Sequence, residues 1–380
     1  MADYQRRHGF WYNITLIVRR YWLSPFLSLS SAGLITLLVN LAMETSGVFL
    51  PLFAEDIGAS KFQIGVIGSA YGIAYAVSAL VFSRQADRGG GVLLVRIGLG
   101  TVALVFFTQS LATSPLFLTL ARASIGLCLG VTSAALMVYN FAGGRSTGQF
   151  ASFGAMGWLI GSVVAIFLHD YQLLFVLGAA ACALAFILSL RLKEQEVRPV
   201  VRLKTLQVIR RNIRVYLAFL LRQFGANMVW VIFPLFLTTL GADKSAIAIL
   251  AVINTTVQII AMIFVEKIRE SRLFVLGLVF SALVFLGYAL ATNYLQVIPI
   301  QILLAVGWAF LYVGALLLLL RHNEARATST GVLFSSINLS ASLGSLLGGY
   351  VAQVLGYQPL MYFALGFCVI GAIVGWTRVK

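Results

Sequence analysis

The stretch FLPLFAEDIGASKFQIGVIGSAYGIAYAVSALVFSRQADR, residues 49–88, ends one apolar run, turns through a short polar segment, crosses a second apolar run and closes in charge. Its core recurs. PLFAEDIGASK, from Pro51, returns as PLFLTTLGADK, from Pro234, without a gap and at an offset of 183 residues. Six of the eleven positions are identical: Pro51/Pro234, Leu52/Leu235, Phe53/Phe236, Gly58/Gly241, Ala59/Ala242 and Lys61/Lys244. The offset is close to half of the 380-residue chain, so the molecule reads as two copies of one membrane unit.

The composition agrees. Apolar residues make up 60% of the chain and charged residues 10%, against about 25% charged in soluble domains. Apolar runs long enough to cross a bilayer recur along the whole length, and none alternates with the period of a membrane barrel. Helices and closed barrels are the structures that satisfy backbone hydrogen bonds in lipid, so these runs are read as helices. Twelve spans are expected, at 31–54, 62–83, 92–112, 115–139, 147–168, 171–190, 212–240, 246–266, 272–292, 295–320, 328–350 and 355–377. The fold class is therefore an all-α membrane protein of twelve transmembrane helices in two six-helix, pseudo-symmetric bundles.

A net charge of +15 would suggest nucleic acid in a soluble protein. Here the placement says otherwise. Of the 27 Lys and Arg, all but Lys61, Lys244, Arg122 and Arg222 fall on the side that holds both chain ends. That bias marks the side as cytoplasmic and leaves no nucleic-acid site. Three scattered cysteines, Cys128, Cys182 and Cys368, lie in apolar spans and suit packing better than a disulfide framework or a metal cluster.

Residues 1–30 mix Arg6, Arg7, Arg19 and Arg20 with aromatic residues and lack a signal-peptide core. They are expected to lie on the inner membrane surface as an amphipathic segment in contact with lipid, the alternative being a disordered tail. The first bundle is placed at 31–190 and the second at 212–380, joined by a basic cytoplasmic linker at 191–211 that has room for a short surface helix.

The loop after the second span reads SRQADRGGGVLLVRIG, Ser83 to Gly98. It resembles the signature G-x-L-A-D-R-x-G-R-R-x-x-x of the major facilitator superfamily. Ala86, Asp87, Arg88 and one of the following glycines match; Ser83 stands in place of the first Gly, Gln85 in place of the Leu, and Arg96 is the next cation after a missing basic pair. With the repeat, the resemblance extends over all twelve spans. It implies an alternating-access transporter, a multi-pass cell-membrane protein that works mostly as a monomer, with a small-molecule substrate. It also implies a cytoplasmic gate at Asp87 and Arg88, to which Arg145 of the RSTG loop is added; an ordinary charged turn is the alternative.

Glu44 is the acidic residue well inside a span. It lies roughly 15 Å from the outer end, near the midplane, and could exchange a proton as a cavity hydrates. It is the first candidate for proton coupling, a permanently neutral or Arg-paired carboxylate being the alternative. Arg122, in LARASIGLCLG, lies roughly 10 Å deep; it either faces a polar interior or snorkels to the headgroups. The resemblance adds the fourth-helix pattern R-x-x-Q-G, with Ile125 in place of Gln and Gly126 matching.

Arg222, Gln223, Asn227 and Trp230 lie on the seventh span, and Asn227 is the 183-offset mate of Glu44. Matched midplane polar residues suit a site between repeats, though helix–helix hydrogen bonding would also account for them. Tyr71 and Tyr75, at the offsets of Asn254 and Gln258, complete the candidate cavity with Trp308, Tyr312 and Asn338. Gly154, Gly157 and Gly161 permit close contact of the fifth span, which lacks the Pro that proton-antiporting relatives carry there.

These residues favour proton-coupled efflux of amphipathic organic compounds by antiport. The alternative is proton-coupled uptake of an organic anion or sugar. A membrane enzyme or sensor is the remote third, since His8, His169 and His322 have no metal-ligand spacing and no nucleophile or Walker motif occurs. No cofactor is implied.

Overall fold

The computed structural model describes residues 31–86, 91–142, 147–194, 205–265, 268–322 and 326–376. The expected N-terminal segment, the gate residues Asp87, Arg88 and Arg145, and the middle of the basic linker lie outside them. Among the described residues fourteen helices run in order: α1 Ser31–Gly47, α2 Leu50–Asp56, α3 Lys61–Ala86, α4 Gly91–Gln109, α5 Pro115–Ala142, α6 Thr147–Phe167, α7 Tyr171–Ser189, α8 Thr205–Trp230, α9 Phe233–Thr239, α10 Lys244–Phe264, α11 Glu270–Leu290, α12 Tyr294–His322, α13 Arg326–Val354 and α14 Tyr357–Trp376. Among the described residues ten helices are long and apolar enough to span a bilayer, and the bent pair α8–α9 makes an eleventh. The apolar part of α6, Phe153–Phe167, is shorter than a full span.

The repeated stretch explains why α2 and α9 exist. Proline lacks an N–H and its ring clashes with the carbonyl four residues back. Accordingly α1 stops at Gly47, four before Pro51, and α8 stops at Trp230, four before Pro234. Each short helix restarts with its proline in the first two positions, where the missing donor costs nothing. Both end in the same cap. Gly58 and Gly241 take φ +87° and +84°; Gly58 N–H donates to Glu55 and Ala59 N–H to Ala54, as Gly241 does to Thr238 and Ala242 to Leu237. This is a Schellman closure, in which glycine carries the left-handed residue. Ser60 then caps α3 in a reciprocal pair with Gln63, and its mate Asp243 caps α10 through Ala246 N–H at 2.7 Å. Every identity of the repeat from Pro to Ala thus sits in one break-and-turn device.

Helix α8 begins seven residues before the expected span at 212, in the basic linker, and is kinked at Asn212 (φ −114°, ψ 15°). Residues 205–211 of the linker are thus helical and continuous with the span.

Packing follows the repeat. In the first half α1 lies on α6 and α7, α4 on α5 and α7, and α3 on α5; in the second, α8 lies on α13 and α14, α11 on α12 and α14, and α10 on α12. The halves meet along α3–α13 and α6–α10, which are also mates. Glycines repeat too. A Cβ on Gly161 would come 2.7 Å from Glu44 Cβ, and one on Gly344 2.9 Å from Asn227 Cβ.

The end that carries the α2–α3 and α9–α10 turns is called the distal face; the end at which α1 begins and α14 ends is called the terminal face. Three apolar cores divide the molecule. One is shared by both halves and contains Phe53, Phe175, Phe236 and Leu360 near the distal face. The other two belong to one half each, around Leu99 and Cys182 and around Phe219 and Leu318. The halves are therefore fused by burial at the distal face and keep separate cores toward the terminal face.

Candidate functional site

At the distal end of α3 the backbones of the two halves nearly touch: a Cβ on Gly65 would meet Gly349 Cα at 2.9 Å, and one on Gly68 would meet Ser345 Cβ at 3.2 Å. The last such contact is Gly72 against Ser342. One turn further toward the terminal face lie Tyr75 on α3 and Asn338 on α13, both half-buried.

Glu44, half-buried on α1, accepts a hydrogen bond from Ser162 Oγ of α6 at 2.7 Å. One turn away on the same two helices Trp158 Nε1 donates to Asn40 Oδ1 at 2.6 Å. Gly161 makes this ladder possible by letting α6 approach Glu44 within contact of its Cβ. The carboxylate is thus held between α1 and α6 of the first half. Among the described residues the ion pairs are Arg321–Glu270 and His322–Glu270, so Glu44 has no basic partner there.

Arg122 is buried in the interior, with Nη1 3.4 Å from Ser46 Oγ and its guanidinium 4.9 Å from the centre of the Tyr71 ring. Snorkelling is ruled out by this placement. Tyr71 in turn lies 6.1 Å from Tyr75. Arg222 is 1% exposed; its Nε donates to Ser281 Oγ and its Nη1 to Gln223 Oε1, both at 2.8 Å, and its guanidinium lies 5.1 Å from Trp308, which stacks on Tyr312. Arg122 Nε and Arg222 Nη2 have no hydrogen-bond acceptor among the described residues.

Asn227 Nδ2 turns back to Gln223 O on its own helix at 2.8 Å, and Asn338 Nδ2 to Phe334 O at 3.0 Å. Asn254 donates to Gln301 Oε1 at 3.0 Å. Gln258 is half-buried on the same helix, one turn on. Trp230 packs among Phe233, Phe285 and Tyr288, in the shared core. The structure therefore brings Arg122, Ser46, Tyr71 and Tyr75 together in one half, and Arg222, Gln223 and Trp308 or Asn254 and Gln301 in the other.

Sequence reasoning missed Ser162, Asn40, Ser281 and Gln301. Gln301 had a signal. Helix α3 starts 30 residues before α4, but α10 starts only 26 before α11, so the mates on α5 and α12 stand at an offset of 179. At that offset Gln301 is the counterpart of Arg122, while Asn254 is the counterpart of Tyr71 at the original offset of 183. The Arg122–Tyr71 contact and the Gln301–Asn254 bond are the same α3–α5 contact in two chemistries.

The family described as Major Facilitator Superfamily matches residues 32–214 and again 215–380. Over 368 residues the chain is 25% identical to the multidrug resistance protein MdtG of Proteus mirabilis, covering 87% of this chain and 90% of that one. Over 385 residues it is 23% identical to the multi-drug resistance efflux pump PmrA of Streptococcus pneumoniae, covering 93% of each. Among solved structures, the nucleoside transporter NupG superposes with a TM-score of 0.77 at 13% identity, over 92% of this chain and 98% of that one. A bacterial homologue of the human lysosomal transporter Spinster gives 0.75 at 16% identity, over 95% and 97%. At those identities the two structures speak for the fold. The family match covers both halves, and the chain belongs to the Major Facilitator Superfamily: it is a multi-pass membrane transporter of a small-molecule substrate and not an enzyme.

Proposed function

We propose that this transporter exports amphipathic organic compounds in exchange for protons, by alternating access, with Glu44 as the proton-binding group. The observation that carries this reading is Glu44 itself. It sits in mid-span, inside the protein, held by one neutral hydroxyl and by no cation among the described residues. A carboxylate so placed can bind either a proton or a positively charged or polarised cargo, and that competition is what antiport needs. The printed names of the relatives MdtG and PmrA, both multidrug proteins, support export.

In this reading the protein is a monomer in the cell membrane and the terminal face is cytoplasmic, because the positive charge gathers there. The fusion of the halves at the distal face then corresponds to an inward-facing state. The bundles at 31–190 and 212–380 rock about the midplane site, the basic linker at 191–211 and the amphipathic segment at 1–30 lie along lipid, and Asp87, Arg88 and Arg145 form the cytoplasmic gate. Arg122 biases release of the proton; Tyr71, Tyr75, Arg222, Gln223, Asn227, Asn254, Gln258, Trp308 and Asn338 line the cargo space, with Trp230 behind them.

Purified protein in liposomes with an imposed pH gradient tests this. A fluorescent amphipathic dye is expected to move against its gradient, and Glu44→Gln is expected to abolish that while dye-for-dye exchange persists. Gradient-driven accumulation that survives Glu44→Gln overturns the role of Glu44.

One observation favours a second reading, proton-coupled uptake of an organic anion. Arg122 and Arg222 are buried, 6% and 1% exposed, and each leaves a guanidinium nitrogen without an acceptor among the described residues. An anion that raises the melting temperature of the wild type but not of Arg122→Ala would show the anion site, and its accumulation in liposomes driven by an inward proton gradient would show uptake.

A further inference from the structure

We infer that Lys61 and Lys244 latch the distal face shut over its apolar core, each by laying its ammonium on a tyrosine of the opposite half. Lys61 Nζ lies 4.3 Å from the centre of the Tyr357 ring, and Lys244 Nζ lies 3.7 Å from that of Tyr171. Lys61 opens α3 of the first half and Tyr357 opens α14 of the second; Lys244 opens α10 of the second half and Tyr171 opens α7 of the first. The two contacts are reciprocal across the molecule, and both lysines belong to the sequence repeat.

Each contact is reinforced. Lys61 N–H donates to Gln353 Oε1 at 3.0 Å, and Phe62 meets Tyr350 edge-on at 6.3 Å. Lys244 Nζ also donates to His169 O at 3.0 Å, and Ser245 Oγ lies 3.1 Å from His169 Nε2. Tyr171 is oriented by donating its hydroxyl to Asp56 Oδ2 at 2.8 Å and by the Phe53 ring at 5.4 Å. Among the described residues, the hydrogen bonds that cross between the halves are these three, all at the distal face.

Two costs show that the lysines are there for a purpose. A cation in the first turn of a helix opposes the positive end of the helix dipole. A cation on the distal side also breaks the charge bias of every other loop. Both halves nonetheless retain one. A cation over an aromatic ring is attracted to the ring face, and the ring needs no charge of its own. Each contact is thus made by a cation and a neutral ring, with no ion pair of Lys61 or Lys244 among the described residues. This inference rests only on alternation between two states and is independent of the cargo and of the coupling ion.

Spin labels at Thr113→Cys and Thr292→Cys, on exposed distal turns of opposite halves, report the opening; Cys128 is changed to Ala, the other two cysteines being buried. In the wild type a short distance is expected to dominate. Lys61→Met and Lys244→Met are each expected to raise the ratio of long to short distances by about two- to fivefold, and the double variant by roughly five- to thirtyfold. Tyr357→Leu and Tyr171→Leu, which remove the other partner, should match the lysine variants; Tyr171→Phe and the double Lys→Arg variant should keep the wild-type distribution. An unchanged distribution in the folded double Met variant overturns the inference, and so does equal opening in the double Arg variant. No transport is required for this readout, so it is separable from any failure of the Glu44 assignment.

Discussion

The two halves share a scaffold and differ in what they place at its centre. Glu44 and Asn227 occupy matched positions, each against a glycine that lets a neighbouring helix in. In the first half the polar residue turns across to Ser162 of α6; in the second it turns back to its own helix at Gln223. The serine is duplicated as well, but Ser345 sits against Gly68 of α3, at the seam between halves. The same divergence marks the α3–α5 contact and its mate: a cation over an aromatic ring in one half, two amides in the other. Glycines, breaks and the lysines of the distal turns are shared, whereas the polar groups in mid-span, Glu44 and Arg122 against Asn227 and Gln301, differ between the halves.

That contrast can be broken. The largest effect concerns the scaffold: Gly161→Val and Gly344→Val each push a side chain into Glu44 or Asn227 and are expected to cost about 1–3 kcal/mol or more. Thermal unfolding should fall by a similar amount for both, and a loss confined to one would break the equivalence of the halves. The next effect concerns function. Ser162→Ala removes a hydrogen bond of about 1 kcal/mol net and is expected to lower gradient-driven flux roughly three- to tenfold, whereas Ser345→Ala should leave it unchanged; equal losses would mean that both serines are structural. The smallest is at the terminal face, where Arg321, 54% exposed, pairs with Glu270 at 2.9 Å. Arg321→Ala should cost at most about 1 kcal/mol and lose its effect in high salt. Arg96→Ala, which strips three carbonyls at the end of α7 of their donor, should cost more.

Much of this was legible from residues alone. Apolar runs and the repeat at Pro51 and Pro234 specified the helices and their pairing, because hydrophobic length and duplication act before any tertiary contact does. Glu44 and Asn227 were legible as mates since no insertion separates their helices from the repeat. Gln301 was not, because α10 with its following turn is four residues shorter than α3 with its own, which shifts the register. Nor was Ser162: a serine on a glycine-rich helix looks like packing until the approach of α6 to Glu44 is known. The two helix breaks were latent in the quoted stretch itself, through what a proline does to the carbonyl four residues behind it. The partners of Lys61 and Lys244 lie 296 and 73 positions away in sequence and could come only from the fold.

The core shared by both halves has a thermal consequence. It is apolar, and the force that buries apolar surface fades on cooling. The tyrosine contacts of the lysines are electrostatic and do not fade in the same way. In a warm membrane oily contact bears most of the weight of the seal; in a cold one the share borne by Lys61 and Lys244 grows, and the molecule's resting posture becomes a thermometer of which kind of adhesion dominates.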